Sequence, residues 1–141
     1  MIDATLLRAT GSYAVVVDPP AGATGQITLR LIASHDQHGT ITPNGPAVTA
    51  TVSTPGQVSD WSFTGTKGQK LTIVVTASTV TPGCGLVLLR APDGTAFDEG
   101  CIDQDHTGRF TSTLPEGGTF NVEVDLPELG TGSVTFALRS G

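Results

Sequence analysis

Apolar and polar residues alternate along most of this chain with a period of two. Tyr13, Val15 and Val17 share one side of the first such stretch, and Ile27, Leu29 and Leu31 one side of the next. Leu71, Ile73 and Val75 point one way, Thr72, Val74 and Thr76 the other, and Phe120, Val122 and Val124 oppose Asn121 and Glu123. Such alternation marks half-buried strands, whose successive side chains leave opposite faces of a sheet. No stretch reads as a helix. Strands are predicted at 39–42, 46–53, 58–64, 69–77, 85–90, 95–99, 108–114, 119–125 and 132–139. Turn residues separate them at Pro43-Asn44-Gly45, Pro55-Gly56, Thr66-Lys67-Gly68, Pro82-Gly83, Asp93-Gly94 and Gly117-Gly118. The expected fold is all-β, an antiparallel β-sandwich of jelly-roll type with about 8–10 strands. The same alternation sends Trp61, Phe63, Phe110 and Phe120 into the core and leaves Phe97 unassigned.

A repeat divides the chain. Residues 7–31 recur without a gap at 114–138, at a constant offset of 107. Leu7, Gly11, Val15, Val17, Asp18, Pro20, Thr24, Gly25, Thr28 and Leu31 meet the same residue types at Leu114, Gly118, Val122, Val124, Asp125, Pro127, Thr131, Gly132, Thr135 and Leu138. The expected organisation is therefore a C-terminal hairpin of a preceding repeat at 1–34 and a complete β-sandwich repeat at 39–141, with the boundary in Ser34–His38. A parent longer than these residues is expected. Exposing six large apolar side chains of the leading segment would forgo about 1.5–3 kcal/mol each. The hairpin is therefore expected to dock on the main domain of a monomer, or alternatively on a partner chain as a dimer.

Composition narrows the class. With Gly 18, Pro 9 and only 14% charged residues in 141, the chain suits one domain of short strands and tight turns. A formal charge of -6 offers no basic stripe for nucleic acid and no attraction to an anionic membrane surface. No apolar run approaches the ~18 residues of a membrane span. Met1-Ile2-Asp3-Ala4 lacks the basic start and apolar core of a signal peptide.

Cys84 and Cys101 flank a hairpin whose turn is Ala91-Pro92-Asp93-Gly94. Its centre lies midway between them, so folding brings the cysteines opposite each other, and a bulge at Gly94 would shift the register by one. A disulfide is expected, which would stabilise by ~3 kcal/mol in the chain-entropy model. It implies an oxidising compartment and an extracellular, secreted or cell-surface location.

The densest polar cluster runs from Asp98 and Glu99 to Asp103, Gln104, Asp105 and His106. Calcium takes six to eight oxygen ligands, so Asp98, Glu99, Asp103 and Asp105 are the candidate calcium ligands, set against a plain solvated acidic loop beside a disulfide. His35-x-x-His38 with Asp36 offers an exposed metal pair, but no scaffold holds it within the expected linker. Catalysis finds no Gly-x-Ser-x-Gly elbow, and each cysteine is explained by the other. No catalytic residue and no cofactor other than calcium is assigned, and the chain is not expected to be an enzyme.

Two stretches carry a family resemblance. Val58 to Ile73, VSDWSFTGTKGQKLTI, resembles the opening of bacterial pre-peptidase C-terminal domains, and Leu114 to Leu138, LPEGGTFNVEVD…GSVTFAL, is similar to their ending. LVLLRAPDGT fits the family's apolar strand and Asp-Gly turn. The tandem arrangement and the leader ITPNGPAVTATVSTPGQ resemble repeats of actinobacterial secreted and Rhs-type surface proteins. The resemblance implies a non-catalytic β-sandwich serving as spacer, adhesive or accessory module of a larger secreted or surface protein, with adjacent repeats as partners. The alternative it implies is a carbohydrate- or polymer-binding module, calcium-assisted in some members. Against the alternative, the single Trp and single Tyr offer few aromatic platforms.

Overall fold

The computed structural model describes residues 5, 7–105, 107–127 and 129–141. Its strands are β1 (Gln37–Thr40), β2 (Val48–Val52), β3 (Val58–Gly65), β4 (Lys70–Ser78), β5 (Gly85–Arg90), β6 (Ala96–Ile102), β7 (Gly108–Thr113), β8 (Gly118–Asp125) and β9 (Gly132–Ser140). Each predicted strand of the complete repeat is present, shifted by a few residues at its ends. The strands form a five-stranded sheet in the order β1-β3-β8-β5-β6 and a four-stranded sheet in the order β2-β9-β4-β7. Pairing is antiparallel except between β1 and β3, which run parallel. The fold is an all-β sandwich. No helix in it is long and apolar enough to cross a membrane, among the described residues.

The core follows from the alternation. Phe120, Val122 and Val124 of β8 face Ile73, Val134, Phe136 and Leu138 of the other sheet, all essentially buried. Phe63 stacks on Phe120 at 5.5 Å between centroids, and Trp61 meets Phe136 edge-on at 6.4 Å. Trp61 and Phe110 are partly buried against this core, as expected. Phe97 joins them, edge-on to Phe120 at 5.9 Å. Its route inward is a bulge: Leu89 pairs with Asp98 and Arg90 with Ala96, leaving Phe97 as the extra residue. The register thus shifts twice: once at Gly94, as expected, where a φ of 85° and an amide bond to Ala91 O at 2.8 Å close the turn so that Ala91 N bonds to Thr95 O, and once more at Phe97.

Three expectations about the leading segment are corrected. Gln37 and His38 belong to β1 rather than to a linker. Gln37 is fixed there because its Oε1 accepts from Ser59 Oγ and from Thr51 N, both at 2.7 Å. The strands that the leading segment repeats in sequence, β8 and β9, do not form a hairpin with each other, since they lie in opposite sheets. Nor does the segment dock on this sandwich: none of the described residues before Gln37 lies in a strand, and Tyr13, Val15, Val17, Ile27, Leu29 and Leu31 are exposed. The physical reason is that the segment carries the pattern of two central strands. The sandwich already fills its central places and offers only the outer edges of β1, β6, β2 and β7. Residues 1–4 and 6 lie outside the described residues.

Candidate functional site

The outer face of the five-stranded sheet concentrates the ionisable side chains of the central strands. Register aligns His38 of β1 with Asp60 of β3, Asp60 with Glu123 of β8, Glu123 with Leu88 of β5 and Leu88 with Glu99 of β6. One step along, Ser62, Asn121 and Arg90 form the neighbouring row. Each of these occupies the outward position of a strand whose alternate residues build the core.

Arg90 grips Glu123 with two parallel bonds, Nε to Oε2 at 2.6 Å and Nη2 to Oε1 at 2.7 Å. This two-pronged geometry is the strong form of a charged hydrogen bond. Bonding to Glu123 holds the Arg90 guanidinium above its ordinary pKa, against the opposing effect of burial. Arg90 Nη1 also donates to Gly94 O at 3.2 Å, tying the β5–β6 turn to the row.

Asp60 is less well served. Asn121 Nδ2 donates to its Oδ2 at 3.1 Å, while its Oδ1 is buried without a hydrogen-bond partner. Burial first, and the neighbouring Glu123 second, push the Asp60 carboxyl above the ordinary aspartate range; His38 and Arg90 pull it down. His38 Nδ1 stands 3.9 Å from Asp60 Oδ2, but its side chain is 72% exposed, so the pair contributes little. The row as a whole sits on an open sheet face. Its carboxylates are occupied by Arg90 and Asn121 rather than aimed across a cleft at one bond.

A groove opens beside this face where the chain leaves β1. It measures about 360 Å³ and is lined by Thr40, Thr42, Ser62, Thr64 and Thr119, with Phe63 among its walls. The lining hydroxyls can both donate and accept.

The Cys84–Cys101 disulfide forms, with Cα atoms 5.6 Å apart. Because of the two register shifts, at Gly94 and at Phe97, Cys101 pairs with Leu86, so the bond runs diagonally rather than straight across. The acidic cluster does not gather at one point. Asp98 follows the bulged Phe97 and turns to the inner side, where it accepts a bond from Ser112 of β7 and so bridges the two sheets. Glu99 lies on the outer face opposite Leu88. Asp103 and Asp105 follow in the loop after β6, where Asp105 adopts a φ of 61° and its amide bonds to Ser78 O at 3.0 Å. His106 lies outside the described residues. Among the described residues no three His, Cys, Asp or Glu side chains come together to hold a metal ion. Asp36 Oδ1 accepts from Val58 N at 2.9 Å.

Sequence reading missed the Asp60–Glu123–Arg90 grouping. The outward polarity of Asp60, Asn121 and Glu123 was visible in the alternation. What was not visible is that β8 lies between β3 and β5.

No described protein family and no curated protein matches this chain. Solved structures do. The pre-peptidase C-terminal domain of collagenase from Bacillus anthracis aligns with a TM-score of 0.53 at 12% identity, covering 74% of this chain and 97% of that domain. PliG of Aeromonas hydrophila, a periplasmic inhibitor of g-type lysozyme, aligns with a TM-score of 0.51 at 13% identity, covering 76% of this chain and 100% of the inhibitor. At such identities the likeness is one of fold, and the fold is the pre-peptidase C-terminal type of sandwich that the sequence resembled.

Proposed function

We propose that this chain is a non-catalytic extracellular β-sandwich module, a spacer, adhesive or accessory unit of a larger secreted or surface protein. The observation that carries the reading is the likeness in fold to nearly the whole of the pre-peptidase C-terminal domain of a collagenase. The Cys84–Cys101 bond supports an extracellular or periplasmic setting, since such a bond persists under oxidising conditions. The outer-face carboxylates, bonded to Arg90 and Asn121, serve to hold the sheet.

One observation favours a second reading, a carbohydrate- or polymer-binding module. The hydroxyl-lined groove beside β1 suits the hydroxyl-rich surface of a polysaccharide, although Trp61 is turned inward, its Nε1 on Ser59 Oγ at 3.1 Å, and gives no stacking platform. The purified chain should be screened for hydrolase activity, for binding to a glycan array and insoluble polymers, and for inhibition of g-type lysozyme. The proposal expects no turnover and no tight soluble ligand. Hydrolysis abolished by Asp60→Asn would overturn it, low-micromolar glycan binding lost in Thr64→Val would favour the second reading, and lysozyme inhibition would point to protein docking.

A further inference from the structure

Gly118 and Gly132 are glycines for a reason that the structure shows. Gly118 has a φ of 151°, and a Cβ there would lie 2.7 Å from Pro92 Cγ. Gly132 has a φ of 146°, and a Cβ there would lie 2.7 Å from both Thr79 O and Val80 Cα. Both positions are compressed against neighbouring chain, and only glycine fits. Their counterparts at the offset of 107, Gly11 and Gly25, have nothing within 4 Å of the same atom. Glycine weakens a strand unless another backbone approaches closely. Gly11 and Gly25 thus answer to neighbours that this sandwich does not supply to them.

The side chains repeat the point. Tyr13, Val15 and Val17, at 57%, 64% and 49% exposure, match Phe120, Val122 and Val124, at 0%, 0% and 2%. Even the turn between the two strands has already formed: Ala23 N bonds to Pro20 O at 2.9 Å, and Gly130 N to Pro127 O at 2.8 Å. Thr24 matches Thr131, which exchanges two backbone bonds with Thr81 at 3.0 and 3.1 Å.

We infer that residues 7–33 are built to fill the β8 and β9 places of a second sandwich, and that their partner is a strand set equivalent to β1–β7 of this chain. Tyr13, Val15 and Val17 then enter the middle of one sheet, Ile27, Leu29 and Leu31 the middle of the other. Gly11 backs against the turn equivalent to Ala91–Gly94, and Gly25 against the chain equivalent to Thr79–Val80. One position departs from the match: Val16 stands where Glu123 binds Arg90, so that outer-face ion pair is not reproduced. The junction is short. The equivalent of β9 ends at Ala33, leaving 34–36 before β1, and Ser34 Oγ bonds to Gly56 O at 3.1 Å while Asp36 holds Val58. Consecutive modules are therefore joined with little slack. The inference rests on the modular reading above only for there being a second module of this kind.

The test extends the full chain by splicing a copy of residues 37–113 directly before Leu7, which reproduces the natural junction between 113 and 114. Tyr13 is the single tyrosine, and the added copy brings none. Its nitration by tetranitromethane is expected to slow at least tenfold in the extended chain, and a second cooperative unfolding transition should appear. Gly11→Val and Gly25→Val should remove that transition and restore fast nitration, while leaving the unextended chain unchanged. Tyr13 reacting equally fast with and without the added strands overturns the inference, whether or not those strands fold. So does protection that survives both glycine substitutions. Detection of turnover or of a glycan ligand strikes the modular reading and leaves the nitration result untouched.

Discussion

Replacing both cysteines, Cys84→Ser with Cys101→Ser, tests how far the sandwich depends on its one covalent tie. The bond closes a loop with a sequence separation of 17. In the chain-entropy model such a loop removes about 10–11 cal/mol/K from the unfolded chain, or ~3 kcal/mol at 25 °C. The folded body spans β1 to β9, residues 37–140. At roughly 2.1 cal/mol/K per residue its unfolding entropy is about 0.2 kcal/mol/K, so the loss corresponds to a fall in melting temperature of about 12–15 °C. The loss also has an address. β6 is an edge strand paired only with β5, whereas β5 is held on its other side by β8. Amides of 96–102 should therefore lose exchange protection before those of β8. Calorimetry of the oxidised chain and the double variant gives the first quantity, and hydrogen exchange the second. A melting shift below about 3 °C, with both transitions two-state, would falsify the assignment of the bond as a major stabiliser.

Three further outcomes are expected. Asp60→Asn should stabilise by about 0.5–1 kcal/mol at pH 7, because it removes a half-buried charge beside Glu123 with one unpartnered oxygen. The Asp60 carboxyl is raised in the folded state, so its contribution is present below the ordinary aspartate value of about 3.9 and is lost as pH rises through the folded value. The advantage of the variant over wild type in urea midpoint should accordingly shrink from pH 7 toward pH 4, and a growing advantage there would contradict the cause given. Melting temperatures in millimolar calcium and in EDTA should agree, since Asp98 and Glu99 face opposite sides of β6; a rise with calcium would return Asp98, Glu99, Asp103 and Asp105 as ligands. Deleting residues 1–33 should leave a folded sandwich melting within about 3 °C of the parent, because none of the described residues among them lies in a strand; an unfolded product in an NMR spectrum would place the segment inside the fold.

Strand positions were legible because each carries its own alternation: Leu71, Ile73 and Val75 bury themselves whatever their neighbour. Strand neighbours were not. Nothing local to Glu123 says that Arg90 will lie beside it, since that contact depends on β8 inserting between β3 and β5. The repeat revealed two strands, but adjacency along the chain suggested a hairpin where the fold sends β8 and β9 to different sheets. The bulge at Phe97 had no signal at all. One extra residue moved Phe97 inward and, together with the shift at Gly94, set the disulfide on a diagonal. A period-two pattern cannot register such a shift, because on either side of it the alternation is intact.

That bulge bears on how the protein survives among copies of itself. The free edge of β6 is a line of unpaired backbone groups at the border of a five-stranded sheet, a template on which a stray strand can polymerise. The extra residue at Phe97 twists that border, and Asp98 places a carboxylate on its inner side, bonded to Ser112 at the seam between the sheets. An incoming strand would have to bury that charge and straighten the kink. Asp98→Val would strip the carboxylate and leave Ala96 and Phe97 followed by a third apolar side chain, a smoother and more adhesive border. A border so bent and charged resists pairing with the same border of a second copy.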